Sequence, residues 1–218
     1  ELDEHLTLRR FDPAFHYVYP DGVELTVHHQ LKDTIDSVRD TLGAAAADEL
    51  AGFVRYAGRI WEASAPSFVF GDAPSLSAVM AMGPRAWLSL RHIDAMRTMW
   101  QAICARVRSP HLRTLLARYA TYNGSDVRQA PATLNCIVHV ELVEGGYGVE
   151  GGMHRVAEVL RDLCEAQGVR FEWGTAAQKL RLDGRRVVGV ETRDGRLINA
   201  SAVVSNVDSR HLTRSLLS

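Results

Sequence analysis

The chemistry-bearing residues crowd most tightly at 145–152, GGYGVEGG. Gly146, Gly148 and Gly151 fall into a G-x-G-x-x-G pattern. Glu172 follows about 20 positions later, where a dinucleotide turn would want an acid for a ribose hydroxyl. Such a turn works by aiming backbone N–H groups and a helix N-terminus at a diphosphate. Here Glu150 would put a carboxylate beside the phosphates. The lead-in at 139–144, HVELVE, is also too polar for a parallel strand buried on both faces. The glycines are therefore read as serving something other than a diphosphate. Metal chemistry fares no better. His28 and His29 are neighbours on a strand and point to opposite faces, and none of the nine histidines forms an H-x-x-x-H or pairs with a C-x-x-C. No Ser/His/Asp triad or carboxylate pair stands out, so the residues supply no chemistry of their own beyond position and surroundings.

A longer ordered set is more specific than any one motif. It comprises Arg118–Asp126 (RYATYNGSD), Gln129–Asn135 (QAPATLN), Gly145–Met153 (GGYGVEGGM), Gly174-Thr175, and Ala202–Asp208 (AVVSNVD). Together these resemble the phytoene-desaturase-like flavoproteins, FAD-dependent carotenoid dehydrogenases of amine-oxidase-like architecture. The likeness is closest to the hydroxyneurosporene or methoxyneurosporene dehydrogenase branch. It implies FAD as cofactor and a long apolar carotenoid as substrate, desaturated by hydride transfer to the flavin. The 145–152 segment would then be a short strand over the flavin ring, where absent Cβ atoms suit a close planar neighbour. The residues alone leave an irregular helix entry equally open. By resemblance, Tyr122, Asn123, Tyr147, Val149, Gly151 and Gly152 contact substrate, and Thr175, Ala177, Asn206 and Asp208 contact FAD. The family more often has valine where this chain has Ala177. Its members also open with a strand–glycine-turn–helix and close with a second flavin-contacting segment, and neither is found here. The chain is therefore expected to be an internal piece, inactive and without FAD by itself, and its exposed flavin-facing surface could pair two copies.

Composition bounds the rest. The 218 residues are 46% hydrophobic and 23% charged, ordinary for a globular chain long enough for one or two domains. A formal charge of −1 offers nucleic acid no electrostatic footprint. No run of 18 apolar residues occurs and no secretory signal opens the chain. The three cysteines, Cys104, Cys136 and Cys164, are odd in number and widely spaced, which suits a reducing cytosol better than a disulfide framework. The expected location is cytoplasmic, with peripheral contact at the inner face of a membrane.

These residues need elements to hold them. Phe15–Tyr19 and Val23–Val27 flank Pro20-Asp21-Gly22, a hairpin whose turn residues supply the required angles. Helical periodicity runs from Asp33 to Leu42, where Gly43 ends it, and again from Ala44 to Ala63 with Leu50, Phe53, Val54, Ala57, Ile60 and Trp61 on one face. Residues 67–82, SFVFGDAPSLSAVMAM, are apolar and aperiodic. They read either as a satellite core or, with Trp87, Met96, Met99 and Trp100, as a wall of a greasy tunnel. Helices are expected at 92–107, from Ser109-Pro110 to Asn123, from Pro131 to Glu144, and at 153–167 with Val156, Val159, Leu160 and Leu163 inward. Strands are expected at 169–173, 180–182, 187–190, 197–198 and 203–204, with Asp183-Gly184 and Asp194-Gly195 as turns.

The expected fold is α+β: a mostly antiparallel substrate-domain sheet with covering helices over 1–152, then a β-meander of an incomplete flavin-binding domain over 153–218. Two alternatives stand beside it. One is another flavoenzyme of the same superfamily, an amine oxidase or a carotenoid isomerase. The other is a non-catalytic module binding lipid or a partner through the 68–82 surface.

Overall fold

Helix α2 (Ala44–Ser64) is the centre around which the first part of the chain is arranged. Its apolar residues recur every three or four positions, so Leu50, Phe53, Ala57 and Ile60 are all sealed from solvent. A computed structural model describes residues 4–71 and 93–217. It divides into two compact units, 1–156 and 157–218.

In the first unit α1 (Leu31–Leu42) precedes α2, and Gly43 at φ 91° separates the two helices. The hairpin of β1 and β2 is antiparallel. Its strands are Phe15–Val18 and Glu24–Val27, with Phe15 opposite Val27. Thr34 fastens the hairpin exit to α1: its hydroxyl accepts from the His28 amide at 2.9 Å and donates to the His28 carbonyl at 3.2 Å. Beyond the undescribed stretch, α3 (Met99–Cys104) starts at a capping box in which Thr98 and Gln101 satisfy each other's backbone N–H groups. Ser109 and Pro110 open α4 (Pro110–Ala117), which tightens into a 3₁₀ segment, Arg118–Asn123, ended by left-handed Gly124. The next stretch is helical throughout. It runs from a 3₁₀ turn, Ala132–Asn135, through α5 (Cys136–His139) to a wider π-type turn, Val140–Glu144. One continuous core joins Leu25, Val38, Phe53, Met99, Leu115 and Leu142.

A second antiparallel ladder pairs β0 (Leu8–Arg10), which precedes the hairpin, with β3 (Tyr147–Val149), placing Arg9 opposite Gly148. The antiparallel strands expected as one substrate-domain sheet thus form two separate two-stranded ladders among the described residues. The segment before the glycine cluster is helical, so the strand–turn–helix context of a dinucleotide turn is missing.

The second unit holds most of α6 (His154–Ala166) and a three-stranded meander, β4 (Ala177–Asp183), β5 (Arg186–Thr192) and β6 (Leu197–Asn199). A short helix, α7 (Ser209–His211), leads into a π-type turn, Leu212–Leu216, whose Leu216 is buried.

Four expectations need correction. The helix expected at 92–107 is only α3, because the capping box sets its start at Met99 and the turn at Ala105 ends it. Residues 169–172 have no ladder partner among the described residues and Trp173 begins a turn, while Phe171 and Trp173 stack on each other, centroids 5.2 Å apart. Residues 203–204 are likewise not a strand, and Val204 is 99% exposed. On α6 only Val159 is buried, and Leu160 faces outward at 45% exposure. The tunnel-wall candidates Met80, Met82 and Trp87 lie outside the described residues. Of the others, Met99 is core and Met96 is exposed.

Gly189 sits in mid-β5, where a Cβ would stand 2.5 Å from the Ile198 carbonyl oxygen. Gly189→Ala is therefore expected to force β5 and β6 apart, at a cost of about 1–3 kcal/mol. Hydrogen exchange should show the amides of 197–199 losing protection while those of α2 keep theirs.

Candidate functional site

An apolar cleft of about 550 Å³ opens in the first unit. Phe15 and Val27 of the hairpin, Ile137 of α5, Val140, and Phe11 with Pro13 from the β0–β1 loop supply its greasy walls. Gly145, Gly146 and Tyr147 complete one side, and Tyr122 and Glu141 bring polar atoms to it. Gly148 is needed here: a Cβ would lie 2.2 Å from Phe11 Cζ, so only the bare backbone lets that ring fold across the ladder and line the cleft.

Among the described residues Glu141 is the one carboxylate in the wall, and its side chain is only 10% exposed. Arg118 donates to its Oε1 at 2.6 Å, Tyr119 donates to the same oxygen at 2.8 Å, and Tyr122 donates to Oε2. The guanidinium of Arg118 in turn lies among four aromatic rings. Its central carbon is 4.6 Å from the centroid of Tyr119, 4.7 Å from Phe15, 5.7 Å from Tyr122 and 5.8 Å from Tyr17. Each such contact contributes about 0.5–2 kcal/mol depending on desolvation. Tyr119 and Tyr122 also stack nearly parallel, 6.0 Å apart.

Burial pushes the phenols up. Tyr119 stands well above the ordinary tyrosine range because it is buried, with Glu141 beside it adding to the effect. Tyr17 and Tyr122 move the same way, again mainly through burial. Tyr19, whose hydroxyl donates to the His111 carbonyl, is pushed up to about 12. Tyr56 rises through burial and its donation to Asp94.

The second unit carries a smaller concavity of about 320 Å³, lined by Gly174, Thr175, Ala176, Arg193 and Asp194. The Arg193 amide donates to the Ala176 carbonyl at 2.8 Å and so closes the two loops on each other. Arg196 reaches Asp194, Glu172 and Thr175, at 2.9, 2.9 and 3.4 Å.

The family profile for flavin containing amine oxidoreductase matches residues 1–218. The chain belongs to that family. It is 32% identical to a hydroxyneurosporene desaturase of Rubrivivax gelatinosus over 99% of its length and 41% of that protein's. It is 28% identical to a 4,4'-diaponeurosporene oxygenase of Staphylococcus aureus (strain bovine RF122 / ET3-1), over 95% of this chain and 41% of that one. The same enzyme of strain USA300 matches to the same extent. The chain thus spans about two-fifths of the relatives it matches, 41%. Membership implies a flavin for the protein. Among the described residues, no helix is long and apolar enough to cross a membrane.

Of the residues singled out by resemblance, Tyr122 and Tyr147 meet at the cleft. Val149 pairs with Leu8 in the adjoining ladder, and Gly151 and Gly152 follow it, exposed, at φ 84° and 92°. Asn123 ends the 3₁₀ segment, exposed and away from the cleft lining. Thr175 lines the smaller concavity, and Ala177 begins β4 opposite Thr192. Asn206 is exposed, and Asp208 accepts the Arg210 and His211 amides as the cap of α7, so neither lines that concavity. Glu141 and Tyr119 escaped notice as site residues because each also fits an ordinary helix, and their separation of 22 positions hides the contact.

Removing Arg118 alone strands a mostly buried carboxylate. Arg118→Met is expected to cost on the order of 3 kcal/mol. Arg118→Met with Glu141→Leu and Tyr119→Phe should recover most of that, since the ion pair and the buried hydroxyl that donates to it become apolar together. Urea titrations of the two variants check this. The tyrosines give a second expectation. Their folded pKa values lie above the unfolded value, so their contribution to stability is complete below about pH 10 and is lost as pH rises toward the folded values. Denaturation midpoints should fall above about pH 10. Absorbance at the phenolate band should show tyrosines titrating late in the folded chain and normally in urea.

Proposed function

We propose that this chain is the substrate-facing part, with one piece of the flavin domain, of an FAD-dependent oxidoreductase that desaturates a long apolar carotenoid precursor. The observation that carries the reading is the cleft of about 550 Å³, walled by Phe11, Phe15, Val27, Ile137 and Val140. Such walls suit a ligand with almost no polar handle, which gains by leaving water in proportion to the area it buries. The printed names of the relatives, a hydroxyneurosporene desaturase and a diaponeurosporene oxygenase, point the same way. Substrate contact falls to Tyr122, Tyr147, Val149, Gly151 and Gly152 in this reading.

The alternative of an amine substrate meets a specific obstacle. An ammonium group would want an aromatic cage. The aromatic cage among the described residues of this unit is already filled by the guanidinium of Arg118, neutralised by Glu141.

The second unit suits the nucleotide end of a flavin. Thr175 presents a hydroxyl, Arg193 a cation, and Gly174 an unobstructed backbone in one small concavity. Thr175 and Ala177 would hold the cofactor there, with Asn206 and Asp208 as further contacts implied by resemblance. A bound flavin supplies the hydride acceptor. The residues of this chain contribute alignment of the polyene and exclusion of water.

Placing a charge in the greasy wall tests the reading. Wild-type chain mixed with neurosporene in detergent micelles should shift the polyene absorption bands on binding. Val140→Asp should weaken that binding at least tenfold, as expected when a carboxylate must be desolvated against hydrocarbon. Equal binding by both proteins, with circular dichroism showing both folded, would overturn the cleft as the carotenoid site.

A further inference from the structure

The chain has six tyrosines, and their surroundings differ in a way that bears on oxidation. A phenol that loses an electron becomes a strong acid, so it loses one readily only where a base stands within hydrogen-bond reach of its proton. Tyr56, Tyr119 and Tyr122 each donate to a carboxylate, Tyr56 to Asp94 and the other two to Glu141. Tyr56 and Tyr119 are buried, whereas Tyr122 is 54% exposed and open to a dissolved oxidant. Tyr19 donates to a backbone carbonyl, which is no base, and the Tyr17 hydroxyl is buried. Tyr147 is a matched comparison for Tyr122. It too lines the cleft and is 45% exposed. Each ring also has a guanidinium near it, Arg10 at 5.3 Å from Tyr147 and Arg118 at 5.7 Å from Tyr122. A nearby cation opposes electron loss, but it does so at both rings. What separates them is the carboxylate: the Tyr147 hydroxyl has no protein acceptor among the described residues.

We propose that Tyr122 is a redox-active residue, the place where a one-electron oxidant such as an organic peroxyl radical draws an electron from the chain while Glu141 takes the proton. The oxidant is reduced by one electron and the Tyr122 O–H bond breaks. Its proton passes to Glu141 Oε2, which leaves a neutral phenoxyl radical beside a neutral carboxyl. Arg118 also donates to the Tyr122 oxygen, and that hydrogen bond remains for the phenoxyl oxygen once the proton has left. Tyr119 is stacked against Tyr122, 6.0 Å away with planes 11° apart, and its hydroxyl donates to the other oxygen of the same carboxylate. It is therefore the next ring that an oxidising equivalent reaches. The proton crosses a single hydrogen bond that already exists, so no base from solution is needed. The inference stands apart from the carotenoid reading above, because it needs only the exposed phenol and its carboxylate.

The probe is photogenerated tris(bipyridine)ruthenium(III), a one-electron oxidant, applied to the full chain with a nitroso spin trap. Peptide mass spectrometry then locates the trapped rings, and brief illumination makes adduct yield a measure of oxidation rate. Tyr122 is expected to carry about tenfold more adduct than Tyr147, well within what a positioned proton acceptor contributes. Adduct at Tyr147 should climb with the concentration of phosphate buffer base, and adduct at Tyr122 should not. Glu141→Gln keeps the shape of the side chain and removes the base, so the Tyr122 yield should fall to the level of Tyr147. In Tyr122→Phe the total yield should fall, with the remaining label on Tyr147. Equal or heavier labelling of Tyr147 in the wild-type chain overturns the proposal, as does the absence of adduct at Tyr122. So does a Tyr122 yield that rises with buffer base as steeply as that of Tyr147, or one that survives in folded Glu141→Gln. The wild-type comparison decides the matter even if that variant does not fold.

Discussion

A carboxylate in the wall of an apolar cleft must be neutralised where it stands, and much of this site follows from that requirement. Glu141 comes from the turn after α5, and its partners Arg118, Tyr119 and Tyr122 come from the 3₁₀ segment after α4. Arg118 in turn needs neighbours that tolerate a partly desolvated cation, and the faces of Phe15 and Tyr17 on the hairpin supply them. One ion pair thereby ties three segments distant in sequence. An ion pair so little exposed adds little net stability, because desolvating both charges offsets most of their attraction. Its effect is positional. It holds the hairpin, the 3₁₀ segment and the α5 turn at the spacing that leaves the cleft open between them.

Local rules made much of the scaffold readable in advance. The helical period and Gly43 marked α1 and α2 to within two residues, and Pro20-Asp21-Gly22 marked the hairpin. Ser109-Pro110 marked the start of α4 in the same way. The meander was legible because glycine at a positive φ is needed at both of its turns, although the first two-residue turn is Gly184-Arg185, one position later than expected. Where the reading failed, tertiary pairing decided. Residues 169–173 have the β-branched and aromatic content of a strand, yet propensity for a pleated surface means little without a neighbour to hydrogen-bond. The pairing of Leu8–Arg10 with Tyr147–Val149 spans most of the first unit, and no local pattern could announce it.

The site was half legible for a related reason. Tyr122 and Tyr147 could be placed by resemblance, and the cleft brings them together. The Arg118–Glu141 pair could not, because each residue is unremarkable on its own helix and only the packing of the two segments makes them partners.

Fold and family leave the substrate open, since one scaffold can carry many sites. What narrows it here is the order in which the chain satisfies its own polar groups. Aromatic rings that could receive a cationic substrate are spent on Arg118, and the carboxylate that could attract one is spent on the same guanidinium. Three of about four acceptor positions on Glu141 are filled from within. What the cleft mainly offers a ligand is hydrocarbon surface. A site so nearly self-satisfied has no strong charge with which to seize a ligand, so its selectivity must come from shape and from excluding water.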